Sequence, residues 1–162
     1  MQRDPDPFEM RQAFAEVVAD LRSKRSCLLI RTQQLVDELQ RYNGRLYSLE
    51  HDNRIIVVHL ATHLEQLTRR ARRCITTNEN LFIKWSTEHR RLQIAYDLAF
   101  SDVEQTALQR RMERFMRKTR RENLQTFEPT LEKMANLVSE IRTDNIHLED
   151  VYYATIFLIQ NE

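Results

Sequence analysis

Glycine is almost missing from this chain: Gly44 is the only one in 162 residues, and proline is confined to Pro5, Pro7 and Pro129. Gly-rich phosphate loops and nucleophile elbows both need residues that tolerate unusual backbone angles, so neither can be built here. No proline falls between residues 8 and 128, and one glycine is too few to break that stretch into strands and tight turns. The fold class expected is all-α.

Other scarcities narrow the setting. Cys27 and Cys74 are the only cysteines, with no CxxC pair and no histidine cluster beside them, which fits a reducing compartment better than a disulfide scaffold. Apolar runs such as Ile55–Val58 and Ile156–Ile159 are far too short for a membrane span. The N-terminus, MQRDPDPFEM, is polar and proline-bearing, unlike a signal peptide. A cytoplasmic location is expected, with cytoskeletal or spindle association within it and the nucleus left open. Lys and Arg (25) nearly balance Asp and Glu (24), and a net charge of +1 argues against general polyanion binding by the whole molecule. The balance is local, however: Arg69 to Arg121 holds 14 basic against 6 acidic residues, and Pro129 to Glu162 holds 2 against 6. A basic middle and an acidic end can attract each other or face different partners.

What the chain has in abundance is heptad periodicity. Phe14, Leu21, Leu28, Leu35, Tyr42, Leu49 and Ile56 place an apolar residue at every seventh position. Beside them runs a half-occupied column of Val18, Arg25, Thr32, Leu39, Leu46, Asn53, Leu60 and Leu67. Together these are the a and d columns of a coiled-coil seam. The pattern returns near the end as Leu131, Met134, Val138, Ile141, Asn145, Leu148 and Tyr152. Asn53 and Asn145 set a polar residue into otherwise apolar columns, a device that lowers stability but can fix register, or an ordinary feature of helical bundles.

The expected organisation is an elongated helical bundle or coiled coil in four parts. Residues 1–7 form a flexible leader, with Asp6 capping a helix that Pro7 opens. One long heptad helix covers 8–75, with a hairpin near 50–53 as the alternative. Asn43-Gly44 is a turn dipeptide, but Gly44 falls at an outward position and the column stays in phase beyond it. Thr76-Thr77-Asn78-Glu79 has the form of a capping box and predicts a break, opening a basic middle segment over 76–127. Ser101-Asp102-Val103-Glu104 is a second such box and predicts a kink or fresh start. Pro129 disfavours the α conformation at Glu128 and predicts the start of a C-terminal heptad helix over 128–162.

Candidate sites are few. Arg69, Arg70, Arg72 and Arg73, with Arg110, Arg111, Arg114, Arg117, Lys118, Arg120 and Arg121, form the strongest electrostatic feature. Arg110, Arg114, Arg117 and Arg121 share one helix face by their spacing, suited to an acidic surface such as tubulin or anionic lipid, or simply to solvent and neighbouring carboxylates. No RRM, zinc-finger or basic-zipper signature accompanies them, which argues against sequence-specific nucleic-acid reading. Tyr153, Ile156, Phe157 and Ile159 lie in a stretch apolar almost all round, a candidate partner interface or part of the core. His59 and His63 share a helix face, but no HExxH or cysteine pair completes a metal site, so no metal or cofactor is expected. No catalytic constellation is present either, and a non-enzyme is expected.

The function expected is that of a coiled-coil subunit of a hetero-oligomeric intracellular complex. Other coiled-coil proteins would be its partners, in an elongated assembly of the microtubule or spindle apparatus. Two alternatives remain open. One is a self-contained regulatory bundle, broadly like the N-terminal domain of syntaxin-type membrane-fusion proteins, though no diagnostic motif of that family is present. The other is a curved membrane-binding dimer of the BAR-like kind.

Overall fold

A computed structural model of the chain describes the backbone of residues 6–49 and 54–160, and the side chains of 6–49 and 57–150. Its elements are α1 (Pro7–Leu49), α2 (Arg54–Asp97), α3 (Asp102–Glu122), a π-helical turn (Asn123–Phe127) and α4 (Glu128–Gln160). The protein is an all-α helical bundle, with no strand among the described residues. The 43 residues of α1 begin as Asp6 and Pro7 dictate. The Phe8 N–H donates to Asp6 Oδ1 at 3.3 Å, and proline takes the first helical position, where its missing N–H costs nothing. Gly44 lies inside α1, facing open space.

In place of one helix over 8–75, the structure has two. Helix α1 ends at Leu49, α2 starts at Arg54, and residues 50–53, with Asn53 of the heptad column, lie outside the described residues. The fold-back shows in the Tyr42 hydroxyl, which reaches the Leu60 carbonyl at 3.4 Å. The predicted break at residues 76–79 is absent, because α2 runs unbroken to Asp97. The physical reason is Asn78. It is fully buried, and its amide donates to the Phe127 carbonyl at 3.1 Å. That tertiary contact engages a side chain between the two box residues, Thr76 and Glu79, which stay exposed on the unbroken helix.

The second box does cap a helix. Ser101 has extended backbone angles, its hydroxyl accepts the Glu104 N–H at 3.2 Å, and the Glu104 carboxylate accepts the Phe100 N–H at 3.3 Å. Pro129 lies in the first turn of α4, as expected, but it does not push Glu128 out of the helical region. Glu128 keeps helical angles (φ −63°, ψ −47°), and its N–H reaches back five residues to the Asn123 carbonyl. The extra residue of a π turn displaces the carbonyl that a proline ring would strike, so helix passes through a position where proline ordinarily ends it.

The chain divides into two compact units. The first joins Met1–Leu28 with Thr77–Pro129. Here Phe14 stacks on His89 with centroids 4.1 Å apart and meets Phe115 edge-on at 5.9 Å, while Trp85 tilts against Phe127 at 5.4 Å. The second unit joins Leu29–Thr76 with Thr130–Glu162. Its helices are tied pairwise by Tyr42 to Leu60, Glu38 to Asn145 and His63 to Asp144. Residue numbers rise together between α1 and α4 (Glu38 with Asn145, Arg45 with Glu149) and oppositely between α2 and α4 (His63 with Asp144, Arg70 with Glu140). This unit is therefore an up-down-up bundle.

Candidate functional site

Most positions of the heptad columns are interior, although Val18 and Arg25 of the second column are exposed. Phe14, Leu21, Leu28, Leu35, Tyr42, Leu46, Leu49, Leu67, Met134, Val138, Ile141 and Leu148 are buried, and Leu39, Leu60 and Leu131 half-buried. Because the chain folds back, its own helices fill the seams. Burying a leucine or phenylalanine this way stabilises by about 1.5–3 kcal/mol each, before the entropy of ordering is subtracted. The side chains of Ile56, Tyr152, Tyr153, Ile156, Phe157 and Ile159 lie outside the described residues.

Asn145 is 4% exposed and donates both to the Glu38 carbonyl (3.1 Å) and to the Glu38 carboxylate (2.8 Å). Glu38, itself 5% exposed, also takes Arg142 at 3.1 Å and Arg41 at 3.6 Å. A buried carboxylate is tolerable only with partners of this kind. His63 meets Asp144 at 2.9 Å, and no group of three metal-ligating side chains gathers among the described residues.

The structure sorts the basic residues into different environments. Arg69 pairs with Glu65 at 2.7 Å, and Arg70 grips Glu140 with two bonds of 3.0 Å. Arg72 and Arg73 are exposed on α2. Arg117 lies 3.9 Å from Glu113 and is, like Arg110 and Arg121, an exposed residue of α3. Arg114 departs from that group. It joins Arg111 and Lys118 along a groove of about 610 Å³ in the first unit, between α2 and α3.

Lys84, Trp85, Thr87, Glu88 and Arg91 of α2 form one wall of this groove, and Arg111, Arg114, Phe115, Lys118, Thr119 and Glu122 of α3 the other. The cations follow from helix geometry, since positions 111, 114 and 118 share one face, as do 84, 88 and 91. Lys84 bridges to Glu122 at 2.9 Å, and Arg91 approaches Glu88 at 3.5 Å. Arg111, Arg114 and Lys118 have no carboxylate partner among the described residues. Buried Trp85 and Phe115 give the groove an aromatic floor. Three buried polar atoms of its lining, Trp85 Nε1, Thr119 Oγ1 and Glu122 Oε1, lack a protein hydrogen-bond partner among the described residues.

Sequence spacing grouped Arg114 with Arg110, Arg117 and Arg121, all exposed on α3, but gave no role to Lys84, Arg91 or Thr119. The signal that finds them is pairwise. Once the Ser101 box sets α2 and α3 as a hairpin, cations at 84 and 91 oppose those at 118 and 111. The volume lies in the range of small-molecule sites, and a concave cluster of cations is suited to holding an anion. No helix among the described residues is long and apolar enough to cross a membrane. Comparison with family models, with curated proteins and with solved structures finds no match.

Proposed function

We propose that the protein is a non-enzymatic helical interaction module, closed on itself, that joins a larger assembly through its outer surface. The supporting observation is the burial of Phe14, Leu35, Tyr42, Met134 and Ile141, each 0% exposed. A coiled-coil strand kept for partners would leave such columns open. Membership of a hetero-oligomeric complex, and the microtubule or spindle setting, belong to the same proposal through the basic α3 surface, which suits an acidic partner such as tubulin. The same closure also favours a second reading, a regulatory bundle folded on itself.

Sedimentation equilibrium and thermal unfolding of the purified chain test the proposal. The expected result is a 19.6 kDa monomer with a cooperative transition whose midpoint does not move with concentration. A partly unfolded chain, or one that folds only on self-association, would return the seams to partner helices and defeat the reading. Pull-down from cell extract then separates the two settings. A fixed set of other subunits identifies the assembly component, and a single regulated partner identifies the self-contained bundle.

A further inference from the structure

We propose that the basic groove between α2 and α3 binds a phosphorylated polyol, the chemistry of an inositol phosphate either free in solution or carried as a lipid headgroup. This goes beyond the interaction reading and does not rest on it.

Charge is the first argument. Five cations and two carboxylates line the groove, and each carboxylate is already engaged by a lysine or arginine across or beside it. Arg111, Arg114 and Lys118 are therefore left facing a common volume with their repulsion uncompensated. An anion placed there gains charge-assisted hydrogen bonds from several donors at once, and the planar arginine fork matches phosphate oxygens better than it matches a single point charge. The site is also concave and about 610 Å³ in volume. That favours a compact anion of high charge density over an extended acidic chain, whose charges are spaced along a backbone and cannot converge on three neighbouring cations.

The second argument is independent of net charge. Trp85 is 1% exposed and Thr119 8%, and both carry an unpartnered polar atom, as does Glu122. An indole N–H can only donate, and an ionised carboxylate oxygen can only accept. Buried polar groups in native proteins are almost always partnered. These atoms have almost no solvent contact, so a ligand reaches them only by displacing the side chains that cover them; phosphate oxygens would then accept from the indole N–H, and ring hydroxyls would donate to Glu122.

Trp85 is the only tryptophan in the chain, so its fluorescence reads the groove directly. Inositol trisphosphate is titrated into the full chain, with calorimetry in parallel and inorganic phosphate as the comparison. The expected result is saturable one-to-one binding of the trisphosphate, tighter than phosphate and weakened by added salt. In the Arg114→Gln, Lys118→Gln double variant, binding weakens by about tenfold or more, as loss of charge-assisted bonds implies. The Arg110→Gln, Arg121→Gln double variant removes the same charge outside the groove and retains affinity. Vesicles containing a phosphoinositide, with and without competing trisphosphate, distinguish the sources. Competed vesicle binding assigns the lipid headgroup, and trisphosphate binding without vesicle binding assigns the free ligand. The proposal is overturned if the trisphosphate shows no saturable binding, if both double variants lose affinity equally, or if a glutamate-rich peptide binds the groove in its place.

Discussion

The two units use the same first helix to build different cores. In the first, α1 supplies Phe14 to a cluster with His89 and Phe115, and Trp85 pairs separately with Phe127. In the second, α1 supplies Leu35 and Leu46, and α4 answers with Met134, Val138 and Ile141. The heptad column in α1 is unbroken across both, so it is the facing helices that decide the type of core. The polar detail is shared. In the first unit His89 Nε2 donates to the Phe14 carbonyl at 2.8 Å, and in the second Asn145 donates to the Glu38 carbonyl at 3.1 Å. Each unit thus sets a buried side chain from another helix against the main chain of α1. Ring stacking is directional, whereas aliphatic columns can slide by a heptad at little cost, so Asn145 carries more of the burden of register than His89 does.

The largest effect is expected where the rings meet. Phe14→Ala removes the partner of both His89 and Phe115 and leaves a cavity, at a cost of about 3–5 kcal/mol in denaturant unfolding. A loss below about 1 kcal/mol would mean that the aromatic cluster collapses around the gap, and that the ring geometry is not what defines the first unit.

In the second unit the sharper experiment is on the polar key. Glu38→Ala leaves the Asn145 amide only the main-chain carbonyl of residue 38, removes the acceptor of Arg142, and should cost about 1–3 kcal/mol. Replacing the pair together, Glu38→Leu with Asn145→Leu, should recover most of that stability, because apolar substitutes of similar size often match a buried polar network. The double variant should, however, lose uniqueness of packing, read as reduced dispersion in its NMR spectrum. A double variant as well dispersed as the parent would leave Asn145 without a role in register.

The contrast also marks how far the sequence could be read. Columns such as Phe14 to Leu49 and Met134 to Leu148 were legible, because burial repeats with the helix period whichever chain supplies the opposite face. That the opposite face belongs to the same chain was not legible, since a heptad carries no label for its partner. The two capping boxes show the limit of local motifs. Ser101 and Glu104 cap α3 as written, whereas Thr76 and Glu79 lie inside α2, where Asn78 has a buried partner in Phe127. Pro129 did mark the start of α4, but not the helical backbone of Glu128, because the π turn that accommodates it has no composition signature. The groove stayed hidden because its cations come from two helices whose pairing depends on the turn at Ser101, and helix spacing alone ranked Arg114 with Arg110, Arg117 and Arg121.

The smallest effect at neutral pH, and the most selective at high pH, belongs to Tyr42 in the second unit. Burial, and then the negative charge of Asp144, push its phenol from 10.0 up to about 12. Between those two values the unfolded chain has lost the phenolic proton and the folded chain still holds it. The folded state then binds more protons, so stability contributed by this group is fully present below pH 10.0 and falls as pH rises toward about 12. Tyr42→Phe removes the titration and gives up only a long hydrogen bond of 3.4 Å to the Leu60 carbonyl. Near neutrality the variant should therefore lie within about 1 kcal/mol of the parent. Every other group is common to both proteins, so the difference between the two stability curves isolates Tyr42. The gap should shift in favour of phenylalanine as pH climbs, and no such shift should occur at the aromatic cluster of the first unit in Phe115→Leu. Parallel curves for parent and Tyr42→Phe would show that the hydroxyl is solvated in the native state, and that the second unit is less tightly closed around α1 than its buried columns imply.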